Sequence, residues 1–242
     1  GLKRTAQLLN TDIRDLFKID LVVHLMNEIP ALRRFTFVPM LTEEESGAGG
    51  EDGRKKDLGA AVVKGRAGSR NAALLRSMKR LQEINSDTEY FRAIHDLFDH
   101  RRILIRIVEK PLFTHANRQD YFNSLFLQFP TKSLIFLDPD TGLEVKNPTK
   151  RHLLFNEVKR VYDRMDDTSV LMIYQHIPRV VREGYIQRRC AELEACTGMH
   201  THSLTDNEIV FFFLSKSPAM NADLARAIRS YIDPYPALLM LG

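Results

Sequence analysis

Apolar residues at helical spacing open the pattern: Leu8, Ile13, Leu16, Phe17, Leu21, Leu25 and Ile29 share one face of a helix over residues 8–29. Thr11 or Asp12 would cap its main part, and Pro30 would end it. Residues 34–41, RFTFVPML, switch to the β-branched and aromatic content of a short strand, with Pro39 arguing against a central position at its end. Residues 42–57 are polar and glycine-rich and read as a mobile loop. Helical spacing returns over 71–84 and again over 90–98.

From residue 102 the pattern becomes regular. Strands are predicted at 102–110, 133–140 and 169–176, separated by helices at 117–129, 150–165 and 182–196. The end of the chain, MHTHSLTDNEIVFFFLSK, gives two strands turning near Asp206-Asn207, then a helix over 221–231. Strands alternating with helices imply βαβ units and a mostly parallel sheet. The runs at 134–137, 170–173 and 209–214 are apolar almost throughout, as strands covered on both faces should be. A turn as short as the one at 206–207 cannot carry a parallel crossover, so the last two strands form an antiparallel hairpin. The expected fold is therefore a Rossmann-like three-layer α/β/α domain covering residues 1–242. It has a mostly parallel sheet, a C-terminal antiparallel hairpin and an N-terminal helical extension over 1–33.

Composition adds only modest limits. The 44% hydrophobic and 27% charged residues are ordinary for a globular protein, and the net charge of +4 permits contact with a polyanion without requiring it. Basic residues are dense between Arg54 and Arg80, which makes that segment a candidate contact for nucleic acid or another polyanion. Aromatic residues for base stacking are missing there. Nothing is long and apolar enough to span a bilayer, so no membrane partner is expected. Cys190 and Cys196 lie six apart in a predicted helix, on different faces, which disfavours a disulfide and suits a reducing, cytoplasmic setting. The chain begins with Gly rather than Met, so native residues could precede it.

Candidate chemistry gathers at the carboxyl ends of the predicted strands, where open α/β sheets bind ligands. Glu109, the Asp138-Pro139-Asp140 turn and Tyr174-Gln175-His176 would all emerge there. Three readings of Asp138 and Asp140 stand open. The carboxylates can serve turn chemistry alone, with Pro139 fixing φ and Gly142 supplying a positive φ. They can border a cofactor site. With Glu144 they can gather Mg²⁺ beside Lys146, giving a metal-dependent nuclease or phosphodiesterase. The string Pro139-Asp140 followed by Glu144-Val145-Lys146 mimics a nuclease motif, but three intervening residues leave no room for the two strands that such a motif spans. His176 is a candidate general base. His200 and His202 share a strand face without a third metal ligand, so no metal site is assigned.

LIFLDPDTGLE, residues 134–144, resembles the Asp-Pro motif at the end of the fourth strand in Rossmann-like methyltransferases. The similarity is nearest to the three-cysteine-motif partner proteins, whose strand ends in Leu-Asp-Pro-Phe-Gly, and as a pattern it extends over about residues 102–217. The resemblance implies S-adenosylmethionine as cofactor, with Asp138 and Pro139 shaping the acceptor pocket, Asp140 at the substrate position after them, and Glu109 holding the ribose hydroxyls. Such proteins pass from strand one directly into a Gly-x-Gly turn. Here Gly47 and Gly49 arrive several residues late, behind three glutamates, and Asp140 replaces the usual stacking residue. The expected function is thus methyltransferase-like, either catalytic or with catalysis lost. A nuclease is the alternative and a non-catalytic interaction module the third option.

Overall fold

The structure is a computed structural model and describes residues 11–43, 58–108, 112–179 and 184–241. Its first helix, α1 (Ile13–Glu28), begins where Asp12 accepts the Arg14 N–H at 2.8 Å, while Asp15 accepts the Asp12 N–H at 3.1 Å. Strand β1 (Arg34–Met40) follows, then the helices α2 (Leu58–Val63), α3 (Ala72–Gln82) and α4 (Asp87–Asp99), and strand β2 (Leu104–Ile107). Next come α5 (Arg118–Phe126), β3 (Ser133–Pro139), the two-residue strands β4 (Gly142–Leu143) and β5 (His152–Leu153), and α6 (Phe155–Arg164). The chain continues through β6 (Val170–His176), α7 (Tyr185–Thr197), β7 (His202–Thr205), β8 (Ile209–Leu214), α8 (Pro218–Ile232) and β9 (Leu239–Leu241).

Seven strands form one sheet in the order β2-β1-β3-β6-β8-β7-β9, while β4 and β5 pair separately. The strands β2, β1, β3 and β6 run parallel; β8 is antiparallel to both β6 and β7, and β9 is antiparallel to β7. The architecture is mixed α/β and consistent with the expected Rossmann-like three-layer fold. Alternation along each strand feeds two cores. Leu134, Phe136, Met172, Phe211 and Phe213 face the layer of α1, α3, α4 and α8. Ile135, Leu137, Ile173, Val210 and Phe212 face the layer of α5, α6 and α7. Strands covered on both sides have no solvent face, which is why their sequences are apolar without interruption.

Pro39 does not push β1 to an edge. β1 lies between β2 and β3, but its pairing with β2 ends at Phe37↔Ile107, so the missing N–H of Pro39 falls beyond the reach of β2. The Pro39 carbonyl accepts a hydrogen bond from the Tyr121 hydroxyl. The β7–β8 hairpin forms as expected, but β9 and the β4–β5 pair were not anticipated, because two- and three-residue strands leave no periodicity to read. The helix expected from residue 150 starts only at Phe155, since residues 152–153 pair with 142–143 instead.

Candidate functional site

From β1 the chain crosses to β2 on one side of the sheet, and then returns to β3 on the other. The carboxyl ends of β1 and β3 therefore flank a topological switch point, the usual position of a ligand crevice in an open α/β sheet. Asp138 and Pro139 end β3 there, in register with Pro39 and Met40 of β1.

Asp138 follows Leu134 and Phe136 on the strand face covered by α1, and this placement determines its partner. Lys18, on the second turn of α1, sets its Nζ 3.1 Å from Asp138 Oδ1 and 3.2 Å from Oδ2. The same ammonium lies 4.1 Å above the centre of the Tyr174 ring and 3.8 Å from Asp15 Oδ1. A single cation is thus held between two carboxylates and the negative face of an aromatic ring.

Burial opposes the charge on Lys18, but Asp138, Asp15 and Tyr174 outweigh it and hold the ammonium above the usual lysine range. Burial raises Asp138 despite its ion pair with Lys18. Asp15 is pushed up from 3.8 to about 7, chiefly by burial and further by Asp12 and Asp138, against the attraction of Lys18. One ammonium cannot fully compensate two desolvated carboxylates, so the outer one takes a proton near neutrality. The side chains of Lys18, Asp15 and Asp138 keep 15–26% of their surface exposed, so water reaches the cluster from one side.

A pH effect of definite sign follows. The folded pKa of Asp15 lies above its unfolded value, so between about pH 4 and pH 7 the folded protein binds more protons and its stability falls as pH rises. Asp15→Asn keeps an oxygen for the Asp12 N–H but cannot titrate. Its melting temperature should gain on wild type between about pH 4.5 and pH 7.5, by the equivalent of roughly 1–2 kcal/mol after solvent screening. Parallel melting profiles for the two proteins across that range would show that Asp15 does not titrate there.

Asp140 belongs to a different set of contacts. Its Oδ2 accepts from the Arg151 guanidinium and, at 3.3 Å, from the Thr42 hydroxyl just beyond β1. The following turn is fastened from β6: Gln175 Oε1 accepts the Leu143 N–H at 2.8 Å, and the His176 N–H donates to Thr141 O at 2.9 Å. Gly142, at φ +143°, has no space for a side chain, since a Cβ would stand 2.5 Å from the Gln175 carboxamide. Glycine is needed here for both conformation and close approach. Arg189, from α7, donates to the carbonyls of Leu143 and Glu144 at 2.8 and 2.6 Å.

Asp138, Pro139, Asp140 and His176 thus lie along one edge, with His176 bonded through its backbone to the Asp140–Gly142 turn. Glu144 is turned away, its carboxylate accepting the Phe155 N–H at 2.6 Å at the start of α6, and Lys146 is exposed. Asp138, Asp140 and Glu144 therefore each have a different partner. His200 and His202 do meet, with ring centres 4.9 Å apart, and His200 lies 3.4 Å from Glu194. Among the described residues no group of three or more His, Cys, Asp or Glu side chains is placed to hold a metal ion. Glu109, Gly47 and Gly49 lie outside the described residues, as do residues 44–57 of the expected loop.

Sequence reasoning placed Tyr174 and Gln175 at this edge without giving either a role, and it missed Lys18 and Asp15. The available signal was a pair of charges, Asp15 and Lys18, three apart beside the apolar stripe of a helix that the fold had to bury. Two surface clefts, of about 300 and 320 Å³, lie away from this edge. One is lined by Asp20, His24, Tyr231 and Tyr235, the other by Arg33, Lys132, Thr168 and Ser217. The free thiols of Cys190 and Cys196 are both pushed up by burial, which makes them poor nucleophiles. No helix among the described residues is long and apolar enough to cross a membrane. Comparison with protein-family models, curated proteins and solved structures finds no match to this chain.

Proposed function

We propose that this domain binds S-adenosylmethionine along the carboxyl ends of β1 and β3 and is methyltransferase-like. One observation carries the reading: the Asp138-Pro139 strand end, the segment on which the methyltransferase resemblance rests, lies at the topological switch point. Lys18 already takes up the carboxylate of Asp138 and the ring face of Tyr174, so their part at this edge is to fix α1 across the strand ends. The cofactor would supply an electrophilic methyl group. The chain's own part would be to hold donor and acceptor in line and to exclude water. Asp140, drawn away by Arg151 and Thr42, acts in shaping the turn rather than in stacking on an acceptor. The metal-dependent alternative gains no support from three carboxylates with three separate partners.

Ligand-dependent melting tests this. S-adenosylmethionine and S-adenosylhomocysteine, at about 100 times their dissociation constants, should each stabilise the protein by about 2.7 kcal/mol, a rise of roughly 5–10 °C. Adenosine triphosphate and magnesium chloride should leave the melting temperature unchanged. A flat response to both adenosyl ligands at millimolar concentration would refute cofactor binding.

A further inference from the structure

Residues 64–82 contain six Lys or Arg and no Asp or Glu, whereas the whole chain is only +4. The remainder of the chain therefore carries a net negative charge, and the basic excess is concentrated in one segment. Leu74, Leu75, Met78 and Leu81 turn α3 inward, while Arg76, Lys79 and Arg80 are exposed on its outer side, with Lys64 and Arg70 exposed just before it. Among the described residues none of these five cations stands within ion-pair distance of a carboxylate. Arg76, Lys79 and Arg80 follow i, i+3, i+4 spacing, so their Cβ atoms stand about 5–6 Å apart on one face and the like charges repel. The helix C-terminus favours Lys79 and Arg80 through its dipole, but it does nothing for Lys64, Arg70 and Arg76.

The segment is fixed against the candidate site. Arg66 pairs with Glu208 at 3.0 Å and Asp206 at 3.7 Å, in the β7–β8 turn at the carboxyl edge of the sheet. Gly68 packs against Leu16 of α1, two residues from Lys18. At the far end of α3, Gln82 donates to Thr11 O at 2.8 Å, just before the start of α1. Arg76, Lys79 and Arg80 are therefore carried toward the end of α1 that lies over Asp138.

We propose that the outer face of α3, with Lys64 and Arg70, is a docking surface for the phosphate backbone of a nucleic-acid duplex, bringing it to the carboxyl edge. Fixed phosphates relieve the repulsion among the cations, and the counterions they release drive binding. A duplex rather than a single strand is the partner, because residues 59–82 contain no aromatic side chain or histidine on which an unpaired base could stack. The surface reads no sequence, since it meets phosphates and not base edges. Placed beside the proposed cofactor site, it names nucleic acid as the substrate class, and only that extension rests on the methyltransferase-like reading.

The test is fluorescence anisotropy of the full chain, without S-adenosylmethionine, against a labelled random-sequence DNA duplex of about 20 base pairs over a salt series. Log affinity should fall with log salt at a slope of roughly −3 to −4, set by the number of phosphates neutralised. Arg76→Gln/Lys79→Gln/Arg80→Gln, with circular dichroism confirming its fold, should bind at least tenfold more weakly and flatten the slope by about one for each phosphate no longer neutralised. Arg160→Gln, on the opposite helical layer, should bind as wild type. Absence of binding at low salt, equal binding by the triple variant, stronger binding to a single strand, or binding to anionic phospholipid vesicles or heparin but not to the duplex would each overturn the proposal. Because no cofactor is present, failure of the adenosyl-ligand test leaves this result standing.

Discussion

Lys18→Met should destabilise the protein by about 2–4 kcal/mol, somewhat less than the roughly 3–5 kcal/mol for breaking a fully buried ion pair, because the cluster keeps some exposure. The loss comes less from the missing attraction than from Asp138, which would stay desolvated with no cation against it. Adding Asp138→Asn to Lys18→Met should recover most of that loss, since a neutral amide needs no counter-charge. Asp138→Asn alone should fall between wild type and Lys18→Met. Urea denaturation midpoints for the four proteins give the coupling directly. A Lys18→Met protein as stable as wild type would show that α1 is held to the sheet edge by packing alone.

This pair also marks the limit of what the chain declares locally. β3, β6 and β8 were legible because strands buried on both faces must be continuously apolar, and the abrupt stop at Asp138 placed the strand end correctly. The hairpin was legible because two residues permit only an antiparallel return. Lys18 was not, because its partner is 120 residues away and nothing in IRDLFKIDL distinguishes a lysine facing water from one facing a carboxylate. Tyr174 was legible as a residue of the carboxyl edge, but with no partner assigned. Its second role as the floor beneath an ammonium exists only once α1 is laid across β6. Asp140 was singled out as anomalous for a stacking position, and the reason lies in Arg151, eleven residues on, which reaches it only because β4 and β5 pair.

The second large effect is expected at Arg118. Its guanidinium meets Glu157 side-on, with Nε at 2.9 Å from Oε2 and Nη2 at 2.6 Å from Oε1, and also donates to His152 O at 2.6 Å. It lies 4.6 Å above the Phe113 ring, and both ion-pair residues are buried. Glu157 in turn accepts the Leu154 N–H at 2.8 Å, so the pair secures the entry to α6. Arg118→Met should cost about 3–5 kcal/mol, because it leaves Glu157 buried and uncompensated. Melting should fall by roughly 6–20 °C. Arg118→Lys should not restore it, since a point charge cannot replace a planar fork that serves three acceptors. A substitution that lowers the melting temperature by less than a degree or two would mean that water replaces the guanidinium without penalty.

The helices nearest the two ends of the described chain are neighbours in space. Asp20 of α1 accepts from the Tyr231 hydroxyl of α8 at 2.9 Å, and His24 lies at the same distance from Ala227 O. During synthesis α1 leaves the ribosome about 200 residues before this partner exists, so its apolar face must wait while the sheet accumulates. β8, which divides β6 from β7, also arrives after both of its neighbours. Closure of this layer is therefore a late event in the life of each molecule, and a stalled chain would expose the α1 face to chaperones or to other nascent chains.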